Sequence, residues 1–506
     1  MRPVAILGVG IAAPSLRMAA SEAGRAWGTG GGRATLAVCD SDEDTFTLAW
    51  KAVTDALEAA DIDPGTVSGL WWGTTRPPFA EGPSHAFLST ALGISGDNEG
   101  ALVSGSPHAG MEALAGAWDA VAAGHATVAV VVASDALVPG LGTAGETTTG
   151  AGAAALVLVP DTPGGNGSAP AARLVARATR ALPAVDRYRG DGDGATGDAY
   201  DGRLFREEVF IPLMEAAGSA VAGPAGGDGA VSAWALSDPD GKLSTAVARR
   251  LGAPLASAPV QAALGDTGAA SPLLGLVQAL AAADNQGATT KTRIGMVGFG
   301  GGRATAVAVD ALRPVPGALG VEALGAGRSA TYTEVLKARG LLEPMGDPIP
   351  MGVPPGSAAF VRGNTEMLGL QGARCGACGT ISTPPTIHPT CIACGGSDLE
   401  VVSLARAGRI QTFVVNQTMP PPFQAPLPLV VVDLDDGARL MVQGSPADAA
   451  DMAVGDEVVL SLRRYALERG VPVYGYKAFR RLGAAASPHG GDTGAGVGAR
   501  AKEEGR

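Results

Sequence analysis

SPHAGMEALAGAWDAVAAG (106–124) and GDTGAASPLLGLVQALAAA (265–283) read as one pattern written twice. Each opens on turn residues and runs into a helix of small and aliphatic side chains. Each then meets a short apolar strand, ATVAVVVA (126–133) or RIGMVGF (293–299). A glycine turn and a second strand follow, in GAGAAALVLV (150–159) and GGGRATAVAV (300–309). Two loosely similar units of this kind point to two α/β halves built on one plan. Outward from them, 4–9 and 67–73 read as buried strands. Residues 44–60 form an amphipathic helix with Phe46, Ala49, Trp50, Val53, Ala56 and Leu57 on one face. Asp42, Glu43 and Asp44 stand where the helix dipole favours negative charge. Such alternation predicts parallel strands joined by crossover helices. GFGGG (298–302) lacks the spacing and the following helix of a dinucleotide loop.

The chain has 506 residues, too many for one core, so two or three domains are expected. A net charge of -12 argues against a nucleic-acid binder, which would present a basic face. MRPVAILGVG (1–10) reads as a buried strand and not as a leader, and the most apolar runs are too short to span a bilayer. The expected location is the cytoplasm, with no membrane and no nucleic-acid partner. YRGDGDGATGDAYDGR (188–203) reads as a solvated insertion between the halves; its spaced aspartates lack the closing Glu of a calcium loop.

Residues 313–372 change character. Pro344, Pro348, Pro350, Pro354 and Pro355 mark a linker, with one short helix at 333–339. CGAC (375–378) and CIAC (391–394) follow. Two CxxC knuckles place the thiolates of Cys375, Cys378, Cys391 and Cys394 around one ion, the closed tetrahedral set of structural zinc; the alternatives are free thiols or disulfides. His388 is left without a coordination position. Beyond the knuckles, 409–415, 427–434, 439–443, 457–462 and 471–479 read as strands, with Asp435-Asp436-Gly437 as a hairpin turn. Five short strands fit an OB-like barrel. The expected division is 1–342, a linker at 343–371, a rubredoxin-like zinc ribbon at 372–400, the barrel at 401–482 and a Gly/Ala-rich disordered tail at 483–506.

DEDTFTLAWKAVTDAL (42–57), WWGTTRPPF (71–79), HAGMEALAGAWDAVAAG (108–124), SDPDGKLSTAVARRLG (237–252), GDTGAASPLLGL (265–276) and GFGGG (298–302) follow one another as in a known family. Residues 1 to about 342 resemble the 3-hydroxy-3-methylglutaryl-CoA synthase branch of the thiolase superfamily. The CxxC pairs, VVVDLDDGARL (430–440) and VGDEVVLSL (454–462) resemble the zinc-ribbon/OB-fold proteins that accompany thiolases. The resemblance implies a five-layered α-β-α-β-α sandwich of two similar halves, dimeric, handling CoA thioesters by acyl transfer and Claisen-type condensation. It also implies a thiolase or other condensing enzyme as partner of the ribbon/OB module.

At the family's catalytic positions this sequence departs. Pro107 stands where the acyl-accepting cysteine is expected, Ser237 for the histidine, Asp266 for the asparagine and Thr75 for the glutamate. Independently, no cysteine falls between Cys39 and Cys375, and no histidine between His125 and His388. A thiolate kept ionised by a helix start and an imidazole is what this chemistry uses. Pro107 is sound helix-start chemistry and carries no acyl group. Ser106 and His108 flank the old nucleophile and are the remaining weak candidates for serine catalysis. Asp238, Asp240 and Asp266 are candidates for an acidic pocket. Cys39 reads as a small hydrophobe and His85 and His125 as structural; Arg463, Arg464, Arg480 and Arg481 are explained by solvation or a CoA phosphate. The leading expectation is a CoA-binding or scaffolding subunit degenerate for condensation. The alternative is an active acyltransferase, hydrolase or aldolase on CoA thioesters using non-standard residues.

Overall fold

The computed structural model describes residues 2–161, 170–198, 201–223, 229–285, 292–325, 327–342, 363, 365–419, 425–468 and 470–481. The linker prolines Pro344, Pro348, Pro350, Pro354 and Pro355 and the tail from 483 lie outside them.

The first strand, β1 (Val4–Ala12), is buried along almost its whole length, as its unbroken apolar sequence requires. It lies at the middle of a nine-stranded sheet with β2 (Gly69–Gly73), β3 (Glu99–Val103), β4 (Ala129–Ala136), β5 (Ala151–Pro160), β6 (Ala172–Ala181), β7 (Ala233–Leu236), β8 (Thr292–Gly300) and β9 (Arg303–Ala311). The order is β7-β8-β9-β6-β1-β5-β4-β2-β3. The twin sequence units therefore fall at mirrored places: β9 and β8 outside β6, β5 and β4 outside β1. The halves join through Val4↔Leu174, Ala5↔Arg173 and Ile6↔Ala172.

The sheet is mixed, where alternation alone predicted parallel pairing. β2, β3 and β4 run parallel, as do β7 and β8. β8 and β9 are antiparallel because only Gly301 and Gly302 join them, both at positive φ (57° and 70°), a two-residue turn with no room for a crossover.

Helices fill the layers. α1 (Thr45–Ala60) and α2 (Ser84–Leu92) cover the outer face of the first half, and α4 (Ile211–Ser219) and α5 (Leu243–Leu251) that of the second. α3 (Ala109–Ala123) and α6 (Ser271–Asn285) form the central layer, in one apolar cluster with strands from both halves. A Cβ on Gly110 would overlap the Ala269 carbonyl oxygen, so the small residues there set how closely the two central helices approach. The short helix read from sequence is α7 (Tyr332–Ala338). Thr331 and Glu334 form its capping box, and Val335 is buried against the sheet of Leu16–Ala19 and Thr35–Val38. It belongs to the body of the first domain.

The C-terminal barrel closes as β10 (Ala407–Asn416), β11 (Leu427–Leu434), β12 (Arg439–Gly444), β14 (Val471–Arg480) and β13 (Glu457–Glu468). Gly437, at φ 91°, makes the hairpin between β11 and β12. The barrel packs on α1 within one apolar cluster. Arg406 lies over the Trp50 ring at 4.7 Å. Lys477 Nζ is 2.7 Å from Asp42, Arg463 3.4 Å from Glu43, and Arg464 3.5 Å from Asp44. Arg463 and Arg464 thus pair with the acidic start of α1, which does more than favour the helix dipole. Among the described residues, no helix is long and apolar enough to cross a membrane.

Candidate functional site

A cavity of about 300 Å³ opens where the central helices begin. Pro107, at the start of α3, lines it. So does Ser237, just after β7, whose N–H donates to the Val297 carbonyl at 3.0 Å. Asp266 lines it too, held before α6 because its N–H reaches the Thr148 carbonyl (2.7 Å) and its Oδ1 accepts the Gly268 N–H (2.9 Å). Three positions separated by up to 159 residues of sequence converge on one wall. Thr75 stands one residue behind: its hydroxyl donates to both oxygens of Asp135 at 2.8 Å, and Asp135 accepts the Ala269 N–H at 3.0 Å. Burial pushes the Asp135 carboxyl above the usual carboxylate range, while the Ala269 N–H and the Thr75 hydroxyl pull it back.

Asp238 and Asp240 line the same cavity. Asp238 caps the start of α5, accepting the Leu243 N–H at 3.3 Å and the Ser244 N–H at 2.9 Å. Burial, opposed by the Lys242 N–H and reinforced by Asp238, raises the Asp240 carboxyl. The insertion read as solvated supplies Thr196 and Gly202 to the wall, and Arg187, just before it, stands there in a buried ion pair with Asp266. Residues 199–200 of that insertion lie outside the described set. Sequence reasoning passed over Arg187 because nothing in its local pattern marks a partner 79 residues away.

Ser106 and His108 do not line the cavity. The Ser106 hydroxyl accepts the His108 backbone N–H at 3.2 Å and does not meet the ring. The buried imidazole has Nε2 2.8 Å from Thr305 Oγ1 and Nδ1 3.4 Å from Glu112. No cysteine or histidine occurs among the described residues of the cavity wall. Cys39, half-buried, lines a separate cavity beside Arg76.

The second constellation is the cysteine cluster. The ligand atoms of Cys375, Cys378, Cys391 and Cys394 lie within 4.8 Å of one another. Cys375 and Cys394 Sγ are 3.7 Å apart and Cys378 and Cys391 Sγ 3.5 Å apart. These separations are far too long for a disulfide, about 2.05 Å. They match the edges of a tetrahedron with metal–sulfur bonds of about 2.3 Å. Gly379 and Gly395, at φ 75° and 76°, donate to the Cys375 and Cys391 carbonyls and close the two knuckles. The four thiols could hold one metal ion.

Residues 401–463 match the C-terminal OB-fold domain of ChsH2. The hydroxymethylglutaryl-CoA synthase of Thermococcus kodakarensis is 35% identical over 160 residues, covering 31% of this chain and 46% of that protein. The match thus spans about half the length of that relative. The enzyme of the same name from Aeropyrum pernix is 29% identical over 255 residues, 48% of this chain and 66% of that protein. The solved structure of MvaS in complex with 3-hydroxy-3-methylglutaryl coenzyme A superposes with a TM-score of 0.55 at 22% identity, over 70% of this chain and 95% of that one. The chain is a homologue of hydroxymethylglutaryl-CoA synthases with the thiolase-like α/β fold, joined to an OB-fold domain of the ChsH2 type and a four-cysteine cluster.

Proposed function

We propose that this protein binds a CoA thioester in the cavity of Pro107, Ser237 and Asp266 without forming a covalent acyl-enzyme, and serves as a scaffolding subunit for a partner thiolase. The observation that carries the reading is the convergence of those three residues on one cavity whose described wall holds neither thiol nor imidazole. Acyl transfer of this type needs a nucleophile with an adjacent base. A proline offers no nucleophile, and a carboxylate held by Arg187 offers no hydrogen-bond donor to an oxyanion. A MvaS structure of the same fold holds HMG-CoA. In this reading, Cys375, Cys378, Cys391 and Cys394 hold a structural zinc, and the ribbon and barrel dock the partner.

Equilibrium binding of acetyl-CoA and acetoacetyl-CoA, run beside an assay of a thiolase with and without this protein, tests the proposal. Binding without turnover, together with co-elution or an altered thiolase rate, is expected. Turnover by the protein alone would contradict it. That second outcome has a specific basis: Asp238 and Asp240 line the cavity, and the raised Asp240 carboxyl suits proton transfer in a hydrolase or aldolase.

A further inference from the structure

Arg339 follows α7 and stands in the walls of two cavities, one of about 250 Å³ beside Arg76 and one of about 740 Å³ between the start of α1 and the barrel. Arg464 also lines both. Arg339 Nη1 is buried with no hydrogen-bond partner, and among the described residues no carboxylate lies within ion-pair distance of its guanidinium. The carboxylate that most favours its charge, Glu146, is already engaged by the Tyr332 hydroxyl and the Gly142 N–H, both at 2.6 Å.

Arg76 shares the smaller cavity. Its terminal nitrogens donate to the Gly194 carbonyl (2.7 Å), the Thr196 hydroxyl (2.9 Å) and the Val138 carbonyl (3.3 Å), and its Nε is buried without a partner. Burial first, then the charge of Arg189, lowers its pKa to about 10; Asp135 opposes the shift and Arg339 adds to it. Positive charge from Arg189 and Arg339 thus gathers around a largely buried Arg76. An arginine does not escape by losing its proton, so the arrangement calls for an anion.

The carboxylates nearby do not supply it. Asp42, Glu43 and Asp44 are committed to Lys477, Arg463 and Arg464, and Asp40 to Arg328. The larger cavity adds Lys337, exposed and without an ion pair among the described residues. Glu334 shares Arg328 with Asp40, and the cations of these two cavities left without an ion pair among the described residues are Arg76, Arg339 and Lys337, in a chain of net charge -12. Guanidinium forks match phosphate oxygens, and several separated cations suit more than one phosphate.

We propose that the junction between the condensing half and the barrel binds a phosphorylated ligand, anchored by Arg339 and Arg76, at a site distinct from the cavity of Pro107 and Asp266. Calorimetric titration of the full-length protein with pyrophosphate, and separately with adenosine 3′,5′-bisphosphate, tests it. Pyrophosphate binding that weakens steeply with salt is expected. Arg339→Gln should loosen it about tenfold or more, as loss of a charged hydrogen bond does. Tighter binding of the bisphosphate would assign the nucleotide end of a CoA-like ligand, and tighter binding of pyrophosphate a free diphosphate. Ser237→Ala, in the other cavity, should leave both unchanged, which separates failure here from failure of the proposed function. Melting temperature gives a second readout. Pyrophosphate should raise that of the parent and not of Arg339→Gln, and the ligand-free variant should melt no lower than the parent. Absence of binding to the parent, equal binding by Arg339→Gln, or a variant that melts lower while still answering to pyrophosphate overturns the proposal.

Discussion

Tyr474 of the barrel stacks on Phe46 of α1, ring centroids 4.3 Å apart and planes at 26°, while its hydroxyl donates at 2.8 Å to Oδ2 of Asp44, the residue capping that helix. One side chain thus joins the apolar and polar parts of the domain junction. Tyr474→Ala should cost about 3–5 kcal/mol by loss of a buried aromatic, and Tyr474→Phe about 1.5–3 kcal/mol by loss of a bond to a charged group. Denaturant unfolding of both variants checks this. Limited proteolysis should find the Tyr474→Ala barrel more readily released. Equal stability of the two variants would remove the packing argument.

The buried pair Arg187–Asp266 makes a second prediction. Asp266→Ala leaves a buried guanidinium uncompensated and should destabilise by about 3–5 kcal/mol. Adding Arg187→Met should recover much of that loss, because the unpaired charge is then gone. Unfolding midpoints of the single and double variants distinguish this from simple cavity formation, in which the double variant would be the weaker.

Metal analysis of the purified protein should find one zinc per chain. A thiol reagent should then modify at most Cys39 until a chelator is added, after which all five cysteines react. Cys391→Ser should lower metal content and unfold the knuckles, since binding free energy is folding free energy at such sites. Full metal content in that variant would exclude Cys391 as a ligand.

Glu334 titrates where its role can be read. The Thr331 N–H, then Arg328 and the Thr331 hydroxyl, hold its carboxyl down at about 2 against an ordinary 4.5. A lowered folded-state pKa means stabilisation present above about pH 4.5 and lost as the pH falls towards 2. The protection factors of the α7 amides, taken against the intrinsic exchange rate at each pH, should fall over that window, and Glu334→Gln should flatten the dependence. An unchanged profile in the variant would assign the acid sensitivity elsewhere.

Local pattern exposed much of this architecture. The face of α1, the small-residue helices α3 and α6, the barrel strands and the knuckle spacing are short-range signals, and each is found near its expected place. The gathering of Pro107, Ser237 and Asp266 in one cavity was accessible only through family resemblance, because up to 159 residues of chain intervene. Strand direction was not legible from alternation, since it turned on the length of a link such as Gly301–Gly302. Arg187, Arg339 and the pairing of Arg463 and Arg464 with the start of α1 escaped notice for one reason. An arginine in a loop or at a strand end carries no local mark of the carboxylate, or the lack of one, that the fold sets beside it.

The central claim, that the condensing cavity holds a CoA thioester and takes no acyl group, is met most directly by intact-mass measurement of the protein after incubation with acetyl-CoA at saturating occupancy. The account predicts an unmodified chain, with acetyl-CoA recovered whole. A chain heavier by one acetyl group, mapped to a residue of the cavity wall and cleared on adding acetoacetyl-CoA, would contradict it.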